Sequence, residues 1–282
     1  TYFKTTFEYD GTNWTAGNDA STLRAYLGGF GTQTAGVACG GFVPPQIAAT
    51  EEYDGTNWTT TGNMGTARYQ FLGTAGTETA GLAFGGRTSA PAYPTQTESY
   101  NGSTWSTLAT GRGIGGYGQT GTSTAAVGFG GSPPSYVANT EEYNSSSSAY
   151  TAAAWASGGA MNTARRGICS AKNATQNAAL GALGYTPANP PAAQGQTNSE
   201  HYDGSAWTNS SAVPTGRYFG GGFGIQTAAV ICGGYSNSPA GQKTTTDEWD
   251  GSSWSSGEAM PPPSNGRANM LADGFGVLTA GV

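Results

Sequence analysis

The sequence contains a single histidine, three cysteines and only 11 lysine and arginine residues among its 282 positions. Binding to nucleic-acid phosphates requires clustered basic side chains, and the net charge of −6 disfavours nucleic acid and anionic membranes as partners. The sequence also lacks a run of about 18 apolar residues, which a transmembrane helix needs. We therefore expect no nucleic-acid binding and no membrane insertion.

Cys39, Cys169 and Cys232 do not have the spacing of a metal site, and their number is odd. Cys39 in VACGG and Cys232 in VICGG stand where Phe84 and Phe129 stand in LAFGG and VGFGG. We interpret these cysteines as small, buried apolar side chains.

The sequence contains few residues and motifs of the kinds that catalysis uses. His201 is the only histidine, so a metal site or a Ser-His-Asp or Cys-His arrangement would depend on this one residue. The glycine-rich stretches GGRT, GGYG and GGGFG are not followed by Gly-Lys-Ser/Thr, the signature of a phosphate-binding loop. The sequence predicts a protein that is not an enzyme and that uses no metal and no cofactor.

Glycine is abundant, with 47 residues, and charged residues make up only 10% of the chain, a composition typical of short strands joined by many turns. One nine-residue motif recurs along the chain. Its copies are FEYDGTNWT (7–15), EEYDGTNWT (51–59), ESYNGSTWS (98–106), EHYDGSAWT (200–208), DEWDGSSWS (247–255) and a stretched copy at 141–155. Asp-Gly favours a tight turn, so each copy is predicted to be a hairpin.

A second motif accompanies the first. Its copies are AGVACGG (35–41), AGLAFGG (80–86), AAVGFGG (125–131), AALGALG (178–184) and AAVICGG (228–234). An arginine precedes each unit, and each copy of the first motif contains a tryptophan after its turn. We assign structural repeat roles to Arg24, Arg68, Arg112, Arg165, Arg217, Arg267, Trp14, Trp58, Trp105, Trp155, Trp207 and Trp254. Each unit is predicted to contain four short strands, the second ending in Gly-Gly, the third at Tyr and the fourth carrying Trp.

The spacing of the units predicts a closed ring. Six units fill 282 residues at a mean of 47 residues each, the length of one four-stranded propeller blade. The chain opens with strands three and four and closes with strands one and two, so its ends can share one blade. We predict an all-β, six-bladed β-propeller, a single domain over residues 1–282. Because the first residue is not Met, we also expect a processed product or part of a longer protein.

The order Arg, strand, Gly-Gly, Glu-x-Tyr, turn, Trp resembles the kelch repeat over nearly the whole chain. The YDGTNWT style of these repeats is similar to kelch-type propellers carried by structural proteins of tailed bacteriophages. The resemblance implies a virion component, located on the virion surface or outside the cell, whose partners are other virion proteins or a glycan or protein on the host surface.

The repeat arginines allow two interpretations. Acidic residues lie just before each strand-three Tyr, as in Glu51 and Glu52, so the arginines can form ion pairs and backbone bonds that hold the blades together. Alternatively, they form a ring around the channel that binds an anion or an acidic sugar. The repetition in every unit favours the structural role.

Differences between the repeats are where specificity is expected. The connections from strand two to strand three hold ten of the 14 prolines. We predict that they emerge on one face and that their aromatic residues form a candidate ligand-binding surface: Phe42, Tyr93, Tyr136, Tyr185 and Tyr235. Rigid loops with aromatic rings and amide groups suit sugars or a protein partner, although ordinary surface loops would share this chemistry.

Three hypotheses for function follow. The first is a noncatalytic binding module, such as part of a tail fibre or a surface adhesin, that recognises a host glycan or surface protein. The second is a purely architectural capsid or tail decoration protein, and the third, which is disfavoured, is a kelch-type enzyme.

Overall fold

The computed structural model describes residues 2–88, 93–111, 118–132, 136–145, 154–186, 195–237 and 240–261. In these ranges the regular structure consists of strands, and helices are absent. The predicted all-β class is therefore confirmed. Correspondingly, no helix in the described ranges is long and apolar enough to cross a membrane.

Most strands belong to four-stranded antiparallel sheets that each form one blade. Blade 1 contains β3 (Gly28–Thr32), β4 (Ala35–Cys39), β5 (Thr50–Tyr53) and β6 (Trp58–Thr61). Blade 2 contains β7 (Tyr69–Thr77), β8 (Ala80–Arg87), β9 (Gln96–Tyr100) and β10 (Trp105–Thr110). Blade 3 contains β11 (Gly118–Gly121), β12 (Ala125–Phe129), β13 (Thr140–Asn144) and β14 (Ala154–Gly158).

The remaining strands complete the fold. Blade 4 contains β15 (Cys169–Ser170), β16 (Ala179–Ala182), β17 (Ser199–Tyr202) and β18 (Trp207–Asn209). Blade 5 contains β19 (Gly221–Ile225), β20 (Ala228–Cys232), β23 (Thr246–Trp249) and β24 (Trp254–Gly257). Two-stranded sheets are formed by β1 (Phe7–Tyr9) with β2 (Trp14–Ala16), and by β21 (Tyr235–Asn237) with β22 (Ala240–Gln242).

The prediction of six four-stranded blades is wrong, because the described residues form five such blades. The repeat count treated every Tyr-turn-Trp hairpin as one blade. The first of these hairpins, β1 with β2, is a two-stranded sheet, so it adds a motif copy without adding a four-stranded blade. The strands that were expected to share a blade with it fall in residues 262–282, outside the described residues.

The first strand of each blade lies nearest the axis of the ring, as in a β-propeller. The hydroxyl of Thr74 in β7 donates to the carbonyl of Gly29 in β3 at 2.7 Å. The hydroxyl of Ser170 in β15 likewise donates to the carbonyl of Gln119 in β11 at 2.8 Å. These bonds join first strands of neighbouring blades, which places them side by side around the centre.

The two faces of the ring carry different connections. The Thr32–Ala35 turn lies beside the Asp-Gly turn of the same blade, since Gly55 is packed on Thr34. Turns joining strands one to two and three to four therefore lie on one face, which we call the turn face. The connections from strand two to strand three, and those between blades, lie on the opposite face, which we call the loop face.

The core is divided among the contacts between neighbouring blades. Phe30, Val37 and Cys39 of blade 1 pack against Ala83 and Tyr100 of blade 2. A Cβ atom on Gly81 would lie 2.2 Å from the Phe30 ring, so glycine is needed there for the close approach of the two blades. All three cysteines are free and buried, which confirms their interpretation as small core side chains.

The Asp-Gly sequences form hairpin turns between strands three and four, as predicted. In the turn after β5, only the glycine has a positive φ, 89° at Gly55. Asp54 instead accepts hydrogen bonds from the backbone N–H groups of Thr56 at 2.8 Å and Asn57 at 2.6 Å. The aspartate thus caps a four-residue turn, a common use of Asp and Asn.

We expect Asp54→Asn to be tolerated and Asp54→Ala to lower the melting temperature by a few degrees. Asn101 makes the corresponding bonds in blade 2, to the N–H groups of Ser103 and Thr104 at 3.0 and 2.9 Å, whereas alanine has no acceptor. Bonds from Asn57 and then Thr56 lower the pKa of Asp54, so its ionic contribution is present at neutral pH and lost on acidification. Thermal unfolding across pH checks this, and equal melting temperatures for both variants would contradict it.

Candidate binding site on the loop face

A short pairing at the loop face brings together two variable repeat positions in blades 1, 2, 4 and 5. The residue directly after the repeat arginine lies opposite the residue after Gly-Gly, or after Leu-Gly in blade 4. The pairs are Ala25 with Phe42, Tyr69 with Arg87, Arg166 with Tyr185, and Tyr218 with Tyr235. Side chains at this rim differ in type from blade to blade, while the backbone pairing stays the same.

Five rim residues form one continuous group, which we call the Arg166 cluster: Tyr136, Arg166, Tyr185, Tyr218 and Tyr235. Their ring centroids are 5.8 Å apart between Tyr136 and Tyr185, 5.1 Å between Tyr185 and Tyr218, and 5.6 Å between Tyr218 and Tyr235. The Arg166 guanidinium carbon lies 5.1 Å from the Tyr136 ring and 5.4 Å from the Tyr185 ring, within range of cation–π attraction. All five side chains are half-buried.

Blades 1 and 2 carry a second group, the Tyr69 cluster, made of Tyr2, Tyr26, Phe42, Tyr69 and Arg87. The Phe42 and Tyr69 rings are 4.7 Å apart, and Tyr2 and Tyr26 lie farther out, at 6.1 Å from Phe42 and 6.4 Å from Tyr69. The Arg87 guanidinium carbon is 6.0 Å from the Tyr69 ring. This group is looser than the Arg166 cluster, and its arginine is exposed.

The five predicted ligand residues are thus only partly brought together. Tyr136, Tyr185 and Tyr235 share one cluster, and Phe42 belongs to the other. Tyr93 is half-buried and makes no ring contact with either cluster among the described residues. Sequence reasoning missed Tyr69, Arg87, Arg166, Tyr26 and Tyr218, although Tyr69, Arg166 and Tyr218 directly follow a repeat arginine and could have been found by aligning the repeats at that position.

The described repeat arginines are buried in ion pairs within their own blades. The pairs are Arg24 with Glu51 at 3.2 Å, Arg68 with Glu98, Arg165 with Glu200 at 2.5 Å, and Arg217 with Asp247 at 2.5 Å. Their side chains also donate to backbone carbonyls, as Arg24 does to Ala49 at 2.9 Å. Arg112 and Arg267 lie outside the described residues. The four described arginines are at most 4% exposed, which favours the structural interpretation over an anion-binding ring.

The repeat arginines also connect neighbouring blades, but through their backbone carbonyls rather than their side chains. The N–H of Gly41 in blade 1 donates to the carbonyl of Arg68 at 2.8 Å. Gly131 and Arg165 make the same bond at 2.8 Å. The Gly-Gly motif therefore leaves room for the chain of the next blade, since a Cβ atom at Gly130 of blade 3 would lie 2.7 Å from the carbonyl oxygen of Arg165.

The two acidic residues of EEY have separate partners. Glu51 pairs with Arg24 of its own blade, whereas Glu52 accepts a 2.5 Å hydrogen bond from the hydroxyl of Tyr100 in blade 2. The same bond between neighbours joins Tyr9 to Glu248, Tyr53 to Glu8 and Tyr202 to Glu142. Burial, followed by the bond to Glu8, raises the pKa of Tyr53 to about 12. Tyrosine and the second acid therefore act as a link between units.

Two departures from the motif fit this division of roles. Ser99 replaces the second acid of blade 2, and Tyr143 of blade 3, which would have bonded to it, turns to Ser145. His201 replaces the second acid of blade 4, and the next unit has Trp249 in place of Tyr. The rings of His201 and Trp249 lie 6.4 Å apart. Thus the lone histidine belongs to a contact between blades.

The tryptophans supply a further link between neighbours. Each of five indole N–H groups donates to a threonine hydroxyl of the preceding unit: Trp14 to Thr246, Trp58 to Thr6, Trp105 to Thr50, Trp155 to Thr97 and Trp207 to Thr140. The donor–acceptor distances are 2.8 to 3.1 Å. Trp254 differs, since its buried indole nitrogen makes no hydrogen bond within the described structure.

The connection from β15 to β16, residues 171–178, crosses the middle of the ring at its turn-face end. Asn173 donates to Gly31 of blade 1 at 2.9 Å, and Gln176 donates to Tyr143 of blade 3 at 3.0 Å. Lys172 is buried and points to the carbonyl of Gly29 in blade 1 at 3.5 Å. Burial lowers the pKa of Lys172 to about 7.

The described residues contain no group of three or more His, Cys, Asp and Glu side chains that could hold a metal ion. The Asp-Gly carboxylates lie at separate turns around the ring, where each caps its own turn. The geometry within the described part of the chain therefore offers contact surface and hydrogen bonds rather than a constellation of reactive groups.

Comparison with known proteins identifies the fold. No protein-family model and no curated protein matches the chain. Among solved structures, the chain is similar to YjhT, with a TM-score of 0.71 over 90% of this chain and 91% of that chain at 10% sequence identity. At this level of identity the likeness shows the fold alone, and that fold is a β-propeller.

Proposed function

We propose that this chain is a noncatalytic binding module that recognises a carbohydrate on a cell surface through its loop face. The observation that carries the proposal is the Arg166 cluster, in which four tyrosines and one arginine meet at the rim of blades 3, 4 and 5. Aromatic rings pack against the apolar faces of sugars, and phenol and guanidinium groups bond to their hydroxyls.

The cluster is organised before any ligand binds. Tyr218 donates its hydroxyl to Asn237 at 3.1 Å, and its backbone is paired with that of Tyr235. Rings held by one another and by a paired backbone lose little conformational entropy on binding, which favours affinity.

The setting of the module is proposed from the repeats. Their kelch-like order and YDGTNWT style support a component of a bacteriophage virion, such as a tail fibre or surface adhesin, with a host glycan as its partner. In the alternative, architectural role, the loop face would be covered by another virion protein.

The test is binding of the labelled, purified domain to an array of bacterial glycans and to whole bacterial cells. We expect saturable binding that the triple variant Tyr136→Ala/Tyr185→Ala/Tyr235→Ala loses, because it removes three contact rings. Ile225→Ala is the matched control, since Ile225 is exposed at the turn-face end of β19.

Circular dichroism and thermal unfolding establish that each variant is folded. If the folded wild-type domain binds no glycan and no cell, carbohydrate recognition is refuted and the architectural role is favoured. If the Ile225→Ala control loses binding and the triple variant retains it, the loop face is not the site.

A further inference from the structure

Charge is distributed unevenly between the two faces of the ring. The turn face carries acidic side chains at Asp10, Asp54, Glu78, Asp203 and Asp250. The five connections from strand two to strand three contain Arg87 and Lys243 and no Asp or Glu. The acidic residues of the connectors between units are Asp19 and Glu258 in the described ranges. Although the chain has a net charge of −6, the connections from strand two to strand three place no carboxylate at the Arg166 cluster within the part of the chain that the structure describes.

Arg166 differs from its neighbour Arg165 in what surrounds it. Arg165 is fully buried and paired with Glu200 at 2.5 Å. Arg166 makes no ion pair with the described residues. Its buried Nε has no hydrogen-bond partner among them, which is also true of the Nε of Arg165. The nearby connections, 132–139 and 185–198, contain no carboxylate. The Arg166 guanidinium thus lacks the carboxylate partner that each described repeat arginine has.

The orientation of Arg166 suits an anionic ligand. Tyr136 and Tyr185 lie against its guanidinium, with ring centres 5.1 and 5.4 Å from Cζ. Ring contacts leave the in-plane N–H groups as donors, and the planar fork of arginine matches the two oxygens of a carboxylate. The adjacent tyrosine rings supply surface for the sugar ring that bears such a group.

We propose, building on the carbohydrate binding proposed above, that the loop face takes an acidic saccharide and that Arg166 binds its carboxylate. Tyr136 and Tyr185 lie against the guanidinium, Tyr218 lies against Tyr185, and these rings contact the sugar ring. The acidic turn face repels the same ligand, so the charge of the ring directs it to the loop face.

The experiment is an array of carboxylate-bearing, phosphate-bearing and neutral bacterial saccharides probed with the whole chain. The strongest bound saccharide is then compared with its carboxyl-reduced form by titration calorimetry. We expect carboxylate-bearing members to bind, and carboxyl reduction to weaken binding about ten- to a hundredfold, the range for a hydrogen bond to a charged group. Binding should also weaken as salt is raised.

Arg166→Gln is expected to abolish the preference for the carboxylate form, and Arg166→Lys to retain only part of it, because lysine keeps the charge without the planar fork. Lys243→Gln is the matched control, since it removes one positive charge from the same face outside the cluster. Thermal unfolding of each variant checks its fold.

Three results would overturn the proposal. Binding of neutral saccharides alone, or of phosphate-bearing ones alone, leaves carbohydrate recognition standing and refutes the role of the carboxylate. If Arg166→Gln and Lys243→Gln lose the preference for the carboxylate form equally, the preference comes from the net positive charge of the loop face and not from Arg166. Absence of binding to any saccharide refutes both this inference and the proposed function.

Discussion

Replacing Arg165 with methionine is expected to lower the free energy of unfolding by about 3–5 kcal/mol, the usual effect of breaking a buried ion pair. The side chains of Arg165 and Glu200 are both fully buried, and their charged atoms are 2.5 Å apart. Without the guanidinium, Glu200 keeps only the N–H of Asn162 as a described donor, at 2.7 Å. A carboxylate left in that environment is desolvated and poorly compensated.

Two further variants separate the loss of the pair from the loss of a side chain. Arg165→Met/Glu200→Met removes both charges and is expected to recover much of the stability, because apolar groups can replace a buried pair at little cost. Arg87→Met removes an exposed arginine and should change the unfolding free energy by less than about 0.5 kcal/mol. Urea denaturation measures all three. If Arg165→Met has the same free energy of unfolding as wild type, the ion pair does not stabilise the blade.

Replacing Lys172 with methionine is expected to stabilise the protein at pH 6, by an amount on the order of 5 kcal/mol for its shift in pKa. Burial lowers the pKa of Lys172 from 10.5 to about 7, although the nearby Cys39 and Cys169 oppose the shift. Below pH 7 the folded protein holds a buried ammonium group, which favours unfolding. Between pH 7 and 10.5 the unfolded chain binds more protons than the folded one, so wild-type stability rises relative to the variant.

The advantage of Lys172→Met should therefore shrink steadily from pH 7 and vanish near pH 10.5. Burial raises the pKa of Cys39 to about 12 and that of Cys169 to about 11. Both thiols are present in wild type and in Lys172→Met. The difference between the two plots of unfolding free energy against pH therefore isolates the contribution of Lys172. Denaturant unfolding from pH 6 to 10.5 makes the comparison, with Lys243→Met as the control on the loop face. Parallel curves for wild type and Lys172→Met would contradict the assigned burial.

Much of the fold could be predicted because its contacts repeat. Asp-Gly, Gly-Gly and Glu-x-Tyr each serve one local purpose, and five described copies of the hairpin-plus-sheet unit follow the expected strand order. The count failed at β1 and β2, since a hairpin motif reports two strands and carries no information on whether two more pair with it. The sequence also did not distinguish the roles of Glu51 and Glu52. Tyr100 lies beside Glu52 only after the chain has folded into the ring.

The candidate site was less accessible to sequence reasoning. Phe42, Tyr136, Tyr185 and Tyr235 were found because they stand out in proline-rich loops, but Arg166 and Tyr218 follow repeat arginines and were absorbed into the repeat. Their convergence depends on the pairing across the rim and on contacts between blades, which have no local signature. The segment 171–178 was missed for a similar reason, because its partners lie in three other blades.

We propose that the ligand binds at the loop face. This proposal is tested most directly by hydrogen–deuterium exchange of the whole chain with and without the saccharide that binds most tightly. We expect slower exchange around Arg166, Tyr185 and Tyr218, with no change at the Asp-Gly turns. Protection confined to the turn face, or spread equally over both faces, would contradict it.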